Sequence, residues 1–247
     1  MPDIRRDFDG QTVITTFEVT PGSAHDVLEL LTDAWDQVIR RQFNTVEGDP
    51  FSPREIRNAA ERIRALGYFS DAQVESRPGT SPQEVIVDVN VEEQPTGSLG
   101  FGASYGASQG VGFNASLSET NFLGRGQTVN LAFSTASGSQ GFDFSFIEPA
   151  FLGRDLRARF STWYRTSDYD NAKLNTRSIG VSTGLEFPVS PNGRLEVGYR
   201  LSKDKLFDVD PVEISPETGE FGGSSPILVG EQGERVTSAL GYSYNYD

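Results

Sequence analysis

The stretch Gly97-Ser98-Leu99-Gly100-Phe101-Gly102-Ala103-Ser104-Tyr105 sets Leu99, Phe101, Ala103 and Tyr105 against Ser98, Gly100, Gly102 and Ser104. Strand side chains alternate between faces with a period of two, so this segment has one oily and one wet surface. From Gly97 to the C-terminus the pattern returns about eight times, with turns between and almost no helical periodicity. Its further apolar sets are Val111, Phe113, Ala115 and Leu117; Val129, Leu131 and Phe133; and Phe142, Phe144 and Phe146. They continue with Leu156, Ala158 and Phe160; Ile179, Val181, Leu185 and Phe187; Leu195, Val197, Tyr199 and Leu201; and Val236, Leu240, Tyr242, Tyr244 and Tyr246. A soluble sheet needs such a face once or twice. About eight in series predict a barrel wall with lipid outside and water within.

The opposite face carries Arg157, Arg159, Glu186, Arg194, Glu196 and Arg200. Water in a lumen, or the outside of a sandwich, accommodates these charges and lets them pair. The small residues Gly and Ser on that face suit a curved wall better than a jigsaw-packed core.

Composition narrows the class. Of 247 residues, 36% are hydrophobic and 23% charged, with 26 Gly, 17 Phe and one Met. Only every second residue of a barrel strand needs to be apolar, whereas a helical span needs about 18 apolar residues in a row, and no such run exists. There is no Cys, so no disulfide, thiolate metal site or cysteine nucleophile is expected. The single histidine, His25, rules out a histidine-based metal site and reads as a loop or surface residue. A net charge of −14 argues against binding nucleic acid or an anionic membrane through bulk electrostatics. Met1-Pro2-Asp3 opens without a basic or apolar leader, so the sequence reads as part of a longer native chain.

Before Gly97 the pattern changes. Gln11–Val19 is one β-branched strand ended by Pro21-Gly22; it has no partner within Asp3–Gly22 and is expected to close a preceding domain. Val27, Leu28, Leu31, Trp35, Val38 and Ile39 recur at helical spacing. A second helix has a capping box at Ser52-Pro53-Arg54-Glu55, a buried stripe of Ile56, Ala59, Ala60, Ile63 and Leu66, and a C-terminal Gly67. Strands near Ala72–Ser76 and Glu84–Val91 follow, with Pro78-Gly79 and Ser81-Pro82 between them.

In the alternating half, short connections are expected at Asn121–Gly126, Ala150–Asp155 and Ser190–Gly193, and long ones at Arg165–Arg177 and Lys203–Gly233. Short periplasmic turns and long outer loops are usual in membrane barrels, which would put the start of the first strand on the periplasmic side. Phe122-Leu123-Gly124-Arg125 recurs as Phe151-Leu152-Gly153-Arg154 in two of the short turns. Each Phe is expected at the bilayer interface, each Gly in the turn and each Arg at headgroup level.

Ser167-Asp168 and Asp208-Val209-Asp210 with Glu213 offer carboxylates, but their spacing matches no defined calcium site. Gly100-Phe101-Gly102 precedes no helix and is no dinucleotide fingerprint. The glycines either loosen a strand so that it can open, or sit opposite crowded lumen residues; both readings fit.

These residues resemble a known family. Val38-Ile39-Arg40-Arg41-Gln42-Phe43, Glu47-Gly48-Asp49-Pro50-Phe51, Arg62–Phe69 and Val91-Glu92-Glu93 are similar to the last POTRA domain of BamA-like outer-membrane insertases. Gly97–Gly102, Glu119-Thr120-Asn121-Phe122-Leu123-Gly124-Arg125-Gly126 and Glu148-Pro149-Ala150-Phe151-Leu152-Gly153-Arg154 resemble the start of that family's barrel.

The resemblance implies an α+β POTRA domain followed by the N-terminal half, about eight antiparallel strands, of a transmembrane β-barrel. Residues 1–22 would end a truncated preceding POTRA domain, 23–94 would form the last one, and 95–247 would begin the barrel. The family's barrel has about twice as many strands, its Arg-Gly-Phe loop motif and closing strand are missing here, and a helical pattern stands in His25–Gln37 where its first POTRA strand is expected.

The function implied is non-enzymatic and cofactor-free: folding and inserting other barrels into the outer membrane, with the POTRA domain in the periplasm. Ser98, Leu99, Gly100, Phe101, Gly102, Ala103, Ser104 and Tyr105 would be the gate strand that templates a client. Unfolded outer-membrane proteins, outer-membrane lipoproteins of the assembly complex and the lipid bilayer would be the partners. A POTRA-barrel transporter for a polypeptide or lipid is the alternative within the same fold. A soluble β-rich binding module is the alternative outside it.

Overall fold

A computed structural model describes residues 12–19, 36–44, 49–79, 84–106, 110–169, 174–211, 213–214 and 221–246. His25, the helical pattern from Val27 to Trp35 and the Ser81-Pro82 turn lie outside them. The chain divides into two units: residues 1–96 with the turn 120–126, and residues 97–119 with 127–247.

In the first unit, helix α1 (Pro53–Ala65) begins where the capping signal predicts. Ser52 is extended, its hydroxyl accepts from the Glu55 N–H, and Pro53 takes the first helical position. Only half of the expected box forms, because the Glu55 carboxylate accepts from Asn44 Nδ2 at 3.3 Å. The chain turns out of the helix at Gly67, whose φ of +71° lies in the left-handed region. Ile56, Ala59, Ala60 and Ile63 are buried as the stripe predicts.

Helix α1 packs on a sheet of β1 (Thr12–Val19), β2 (Phe69–Pro78) and β3 (Glu84–Glu93) in the order β1-β3-β2. The core joins Ile39, Ile56, Ile63, Phe69 and Ala72 to Val87, Val89 and Val91 on alternate positions of β3. Val38 and Ile39, in the helical segment described from residue 36, are also buried.

Strand β1 finds its partner outside Asp3–Gly22: it runs parallel to β3, Thr12 opposite Glu84 through Val19 opposite Val91. Strand β3 is central, with β2 on one edge, and its other edge needs hydrogen-bonding partners that a β-branched strand distant in sequence supplies.

The second unit is one antiparallel sheet of eight strands. In chain order they are β4 (Gly97–Gly106), β5 (Gly110–Phe122), β6 (Gln127–Ala136), β7 (Ser139–Glu148), β8 (Arg157–Tyr169), β9 (Leu174–Ser190) and β10 (Gly193–Phe207). The connection after β10 holds a two-strand ladder of β11 (Glu213–Ile214) with β12 (Phe221–Gly222), then a one-turn helix α2 (Pro226–Gly230). β13 (Gly233–Tyr246) completes the sheet beside β10.

Register keeps the apolar sets on one face. Leu99 stands opposite Leu117, Phe133 opposite Phe142, Phe146 opposite Phe160 and Val197 opposite Tyr242. That face is bare: Phe101, Tyr105 and Tyr242 are 77%, 80% and 83% exposed. A soluble sandwich would bury these side chains, so the exposed face fits lipid contact.

The connection lengths differ from expectation. β8 and β9 extend to Tyr169 and from Leu174, so the long loop foreseen at Arg165–Arg177 shrinks to residues 170–173. β6 and β7 are joined by residues 137–138 alone, and β7 and β8 by the longer 149–156. Only the connection from β10 to β13 is long. Polar alternation continues into the ends of strands, and turn-rich composition there hid it.

Candidate functional site

β4 lies at one edge of the sheet, hydrogen-bonded to β5 alone among the described residues, from Gly97 opposite Glu119 to Gly106 opposite Gly110. All eight residues proposed as the gate, Ser98, Leu99, Gly100, Phe101, Gly102, Ala103, Ser104 and Tyr105, fall within it. An edge strand presents unpaired backbone donors and acceptors that another strand can meet.

The glycines of β4 have a local cause. A Cβ at Gly100 would come to 2.8 Å from Ser116 Oγ, and one at Gly102 would run into the Asn114 amide. Gly112 of β5 makes the same room for Ser104 Oγ, again at 2.8 Å. Each glycine thus lies beneath a polar side chain leaning across the ladder, which supports the crowding reading.

The polar face has two zones. Across β4 to β6 it carries Ser, Gly and Asn, with Ser118 and Asn130 joined at 2.7 Å. Across β8 to β10 it carries an ionic lattice centred on Glu186, which is only 3% exposed. Glu186 receives Arg194 Nε at 2.7 Å, Arg157 Nη1 at 3.3 Å and Arg159 Nη2 at 3.3 Å. Arg159 also reaches Glu196 at 3.3 Å, and Arg194 reaches Asp155 at 3.0 Å. The pairing foreseen for these charges is realised, and Asp155 is an additional member. Burying a carboxylate is costly unless charged partners offset its lost hydration.

Trp163 sits on this polar face, buried between Asp143 and Gly180 in register. Its Nε1 donates to Ser178 Oγ at 3.2 Å, and the Arg200 guanidinium lies 4.3 Å from the ring centre. The apolar-face alternation passes over it; the one visible signal was a large aromatic residue in polar register.

The repeated tetrapeptide is a repeated backbone shape. Leu123 and Gly124 have φ of +54° and +69°, and Leu152 and Gly153 have +58° and +69°. The Arg125 N–H donates to the Phe122 carbonyl, and the Arg154 N–H to the Phe151 carbonyl, each at 3.2 Å. Two successive left-handed residues closed by such a bond make a type I′ turn. In the first unit, the Gly126 N–H donates to Asn121 Oδ1 at 2.7 Å, and Arg41 Nη2 donates to the Arg125 carbonyl at 3.2 Å.

Among the described residues no three His, Cys, Asp or Glu side chains are placed to hold a metal. Asp208 of the supposed carboxylate group instead accepts from Asn175 Nδ2 at 3.1 Å.

Comparison with known proteins matches this architecture in both units. The Omp85 superfamily domain matches residues 121–247, and a POTRA family, surface antigen variable number repeat, matches residues 32–94. The outer membrane protein assembly factor BamA of Neorickettsia risticii is 27% identical over 84% of this chain, which covers 27% of that protein. BamA of Nitratidesulfovibrio vulgaris is 26% identical over 86% of the chain, which covers 25% of it. The chain thus spans about a quarter of the length of these curated relatives. The crystal structure of BamA from Haemophilus ducreyi lacking POTRA domains 1-3 shares the fold at a TM-score of 0.68, with 22% identity over 96% of this chain and 44% of that one. With an Omp85 match over residues 121–247 and a POTRA match before it, the chain belongs to the Omp85 superfamily.

Proposed function

We propose that the chain is part of an outer-membrane assembly factor that folds and inserts β-barrel proteins, with β4 as the strand on which a client strand is templated. The observation that carries this reading is that β4 borders the described sheet, hydrogen-bonded to β5 alone among the described residues, and that one face of this sheet is bare and apolar. An incoming strand would add to β4 by backbone pairing while its apolar side chains enter lipid. Satisfying backbone groups and burying apolar surface supply the free energy, so neither nucleotide nor catalytic group is called for. Unfolded outer-membrane proteins would be the clients, lipoproteins the accessory partners, and the α+β domain would lie in the periplasm. The names of the relatives, assembly factors of outer-membrane proteins, support the same assignment.

These 247 residues hold no cysteine, and any cysteine elsewhere in the full-length protein is replaced by serine for the test. Ala103→Cys in the full-length parent, reconstituted in liposomes, is expected to form a disulfide with a single cysteine in a client's terminal strand during folding. Client folding without any crosslink along Ser98–Tyr105 rules out templating at β4. Ion conductance tied to one secreted partner, with no client folded, favours the transporter reading.

A further inference from the structure

Leucine is a poor choice for the backbone it occupies at position 152. A left-handed φ brings Cβ against the following carbonyl at a cost of about 1–2 kcal/mol, which Gly or Asn largely avoids. Packing against the described residues does not offset that cost, because the side chain of Leu152 is 76% exposed. The same arrangement recurs at Leu123, 56% exposed, with nearly the same φ. Strain in a bulky, exposed residue points to a contact outside the chain.

The rest of the turn indicates what that contact is. Phe151 is exposed beside Leu152, and the Arg154 guanidinium makes no ion pair or hydrogen bond with the described residues. Two apolar side chains and an unengaged cation form the chemistry of a headgroup layer. The turn is stiff, since the Phe151 N–H donates to the Leu156 carbonyl at 2.8 Å and the Ala150 N–H to Glu148 Oε1 at 3.0 Å. From Leu156 the chain enters β8, whose Ala158 and Phe160 continue the bare apolar face.

We propose that the turn Phe151–Arg154 is a membrane-seating element: Leu152 enters the interfacial layer of an anionic phospholipid leaflet while Arg154 binds a lipid phosphate. The inference rests on the reading of the sheet as a bilayer-facing wall and not on the templating role of β4.

The test uses the full-length protein in vesicles of phosphatidylcholine with and without phosphatidylglycerol. Leu152→Cys, labelled with an environment-sensitive fluorophore, is expected to emit as from an interface and to be quenched by headgroup-labelled lipid. Adding Arg154→Gln is expected to lower that quenching up to about fivefold in the anionic vesicles, the factor for one surface cation, and by less in the neutral vesicles, whose lipid phosphate is balanced by choline. Water-like emission at position 152, with Phe160→Cys quenched within the bilayer, overturns the inference alone. Water-like emission at both positions overturns the bilayer-facing reading beneath it as well. A separate readout is the thermal midpoint in detergent: Leu152→Asn is expected to keep or raise it, and a fall would mean the leucine serves internal packing instead.

Discussion

The indole of Trp163 covers Gly180 across the β8–β9 ladder and occupies the place where a Cβ at position 180 would stand. The ring therefore depends on a glycine opposite it. Gly180→Val is expected to push the indole off its strand, breaking its bond to Ser178 and its stacking with Arg200, at about 1–3 kcal/mol. In a Trp35→Phe background the fluorescence of Trp163 should shift to the red and the melting midpoint in detergent should fall. An unshifted spectrum would show that the indole has room elsewhere.

Glu186 is the shared acceptor of three arginines. Glu186→Gln leaves those guanidinium groups facing one another across β8, β9 and β10. Because the arginines are themselves half-exposed, the expected loss is roughly 2–3 kcal/mol, below that of a fully buried pair. Arg157→Ala is expected to cost less, since Glu186 keeps Arg159 and Arg194. Equal midpoints for both variants in detergent would refute the central position of the carboxylate.

The two ends of α1 are set by single residues. Ser52→Ala removes the cap acceptor for Glu55 N–H and should cost about 1 kcal/mol. Gly67→Ala places a Cβ on a left-handed residue at a similar cost. Hydrogen-exchange protection of the α1 amides is expected to fall about fivefold in each variant, and about additively in the pair.

Burial pushes the Tyr68 phenol above its ordinary 10.0, with the nearby Arg41 guanidinium acting in the opposite direction. A phenol that holds its proton longer when folded contributes stability present below about pH 10 and lost as the pH rises through its raised value. Protection of the β2 and β3 amides should decline more steeply above pH 10 in the native protein than in Tyr68→Phe. Parallel declines would show that another group carries the alkaline sensitivity.

Much of the barrel half was legible because alternation is local: apart from Leu156, which just precedes β8, the eight apolar sets fall in strands of the sheet. The stripe and caps of α1 were legible for the same reason. The partner of β1 was not, since a parallel pairing between Thr12–Val19 and Glu84–Val91 leaves no mark in either segment alone. Connection lengths misled because polar residues at 165–169 and 174–177 continue strands rather than form a loop. Of the candidate site, the range of β4 could be read, but its place at the border of the described sheet is a property of topology. The left-handed leucines were hidden because leucine by itself argues against that backbone.

The division of the polar face into a Gly/Ser/Asn zone and an arginine–carboxylate zone gives the wall uneven mechanics. Strands β8, β9 and β10 are stitched by charges that cross from one to the next and behave as a stiff panel. Strands β4 to β6 have lighter cross-links and glycines under their neighbours' side chains, so they yield first under load. Bending of this sheet accordingly gathers at the flank of β4 to β6.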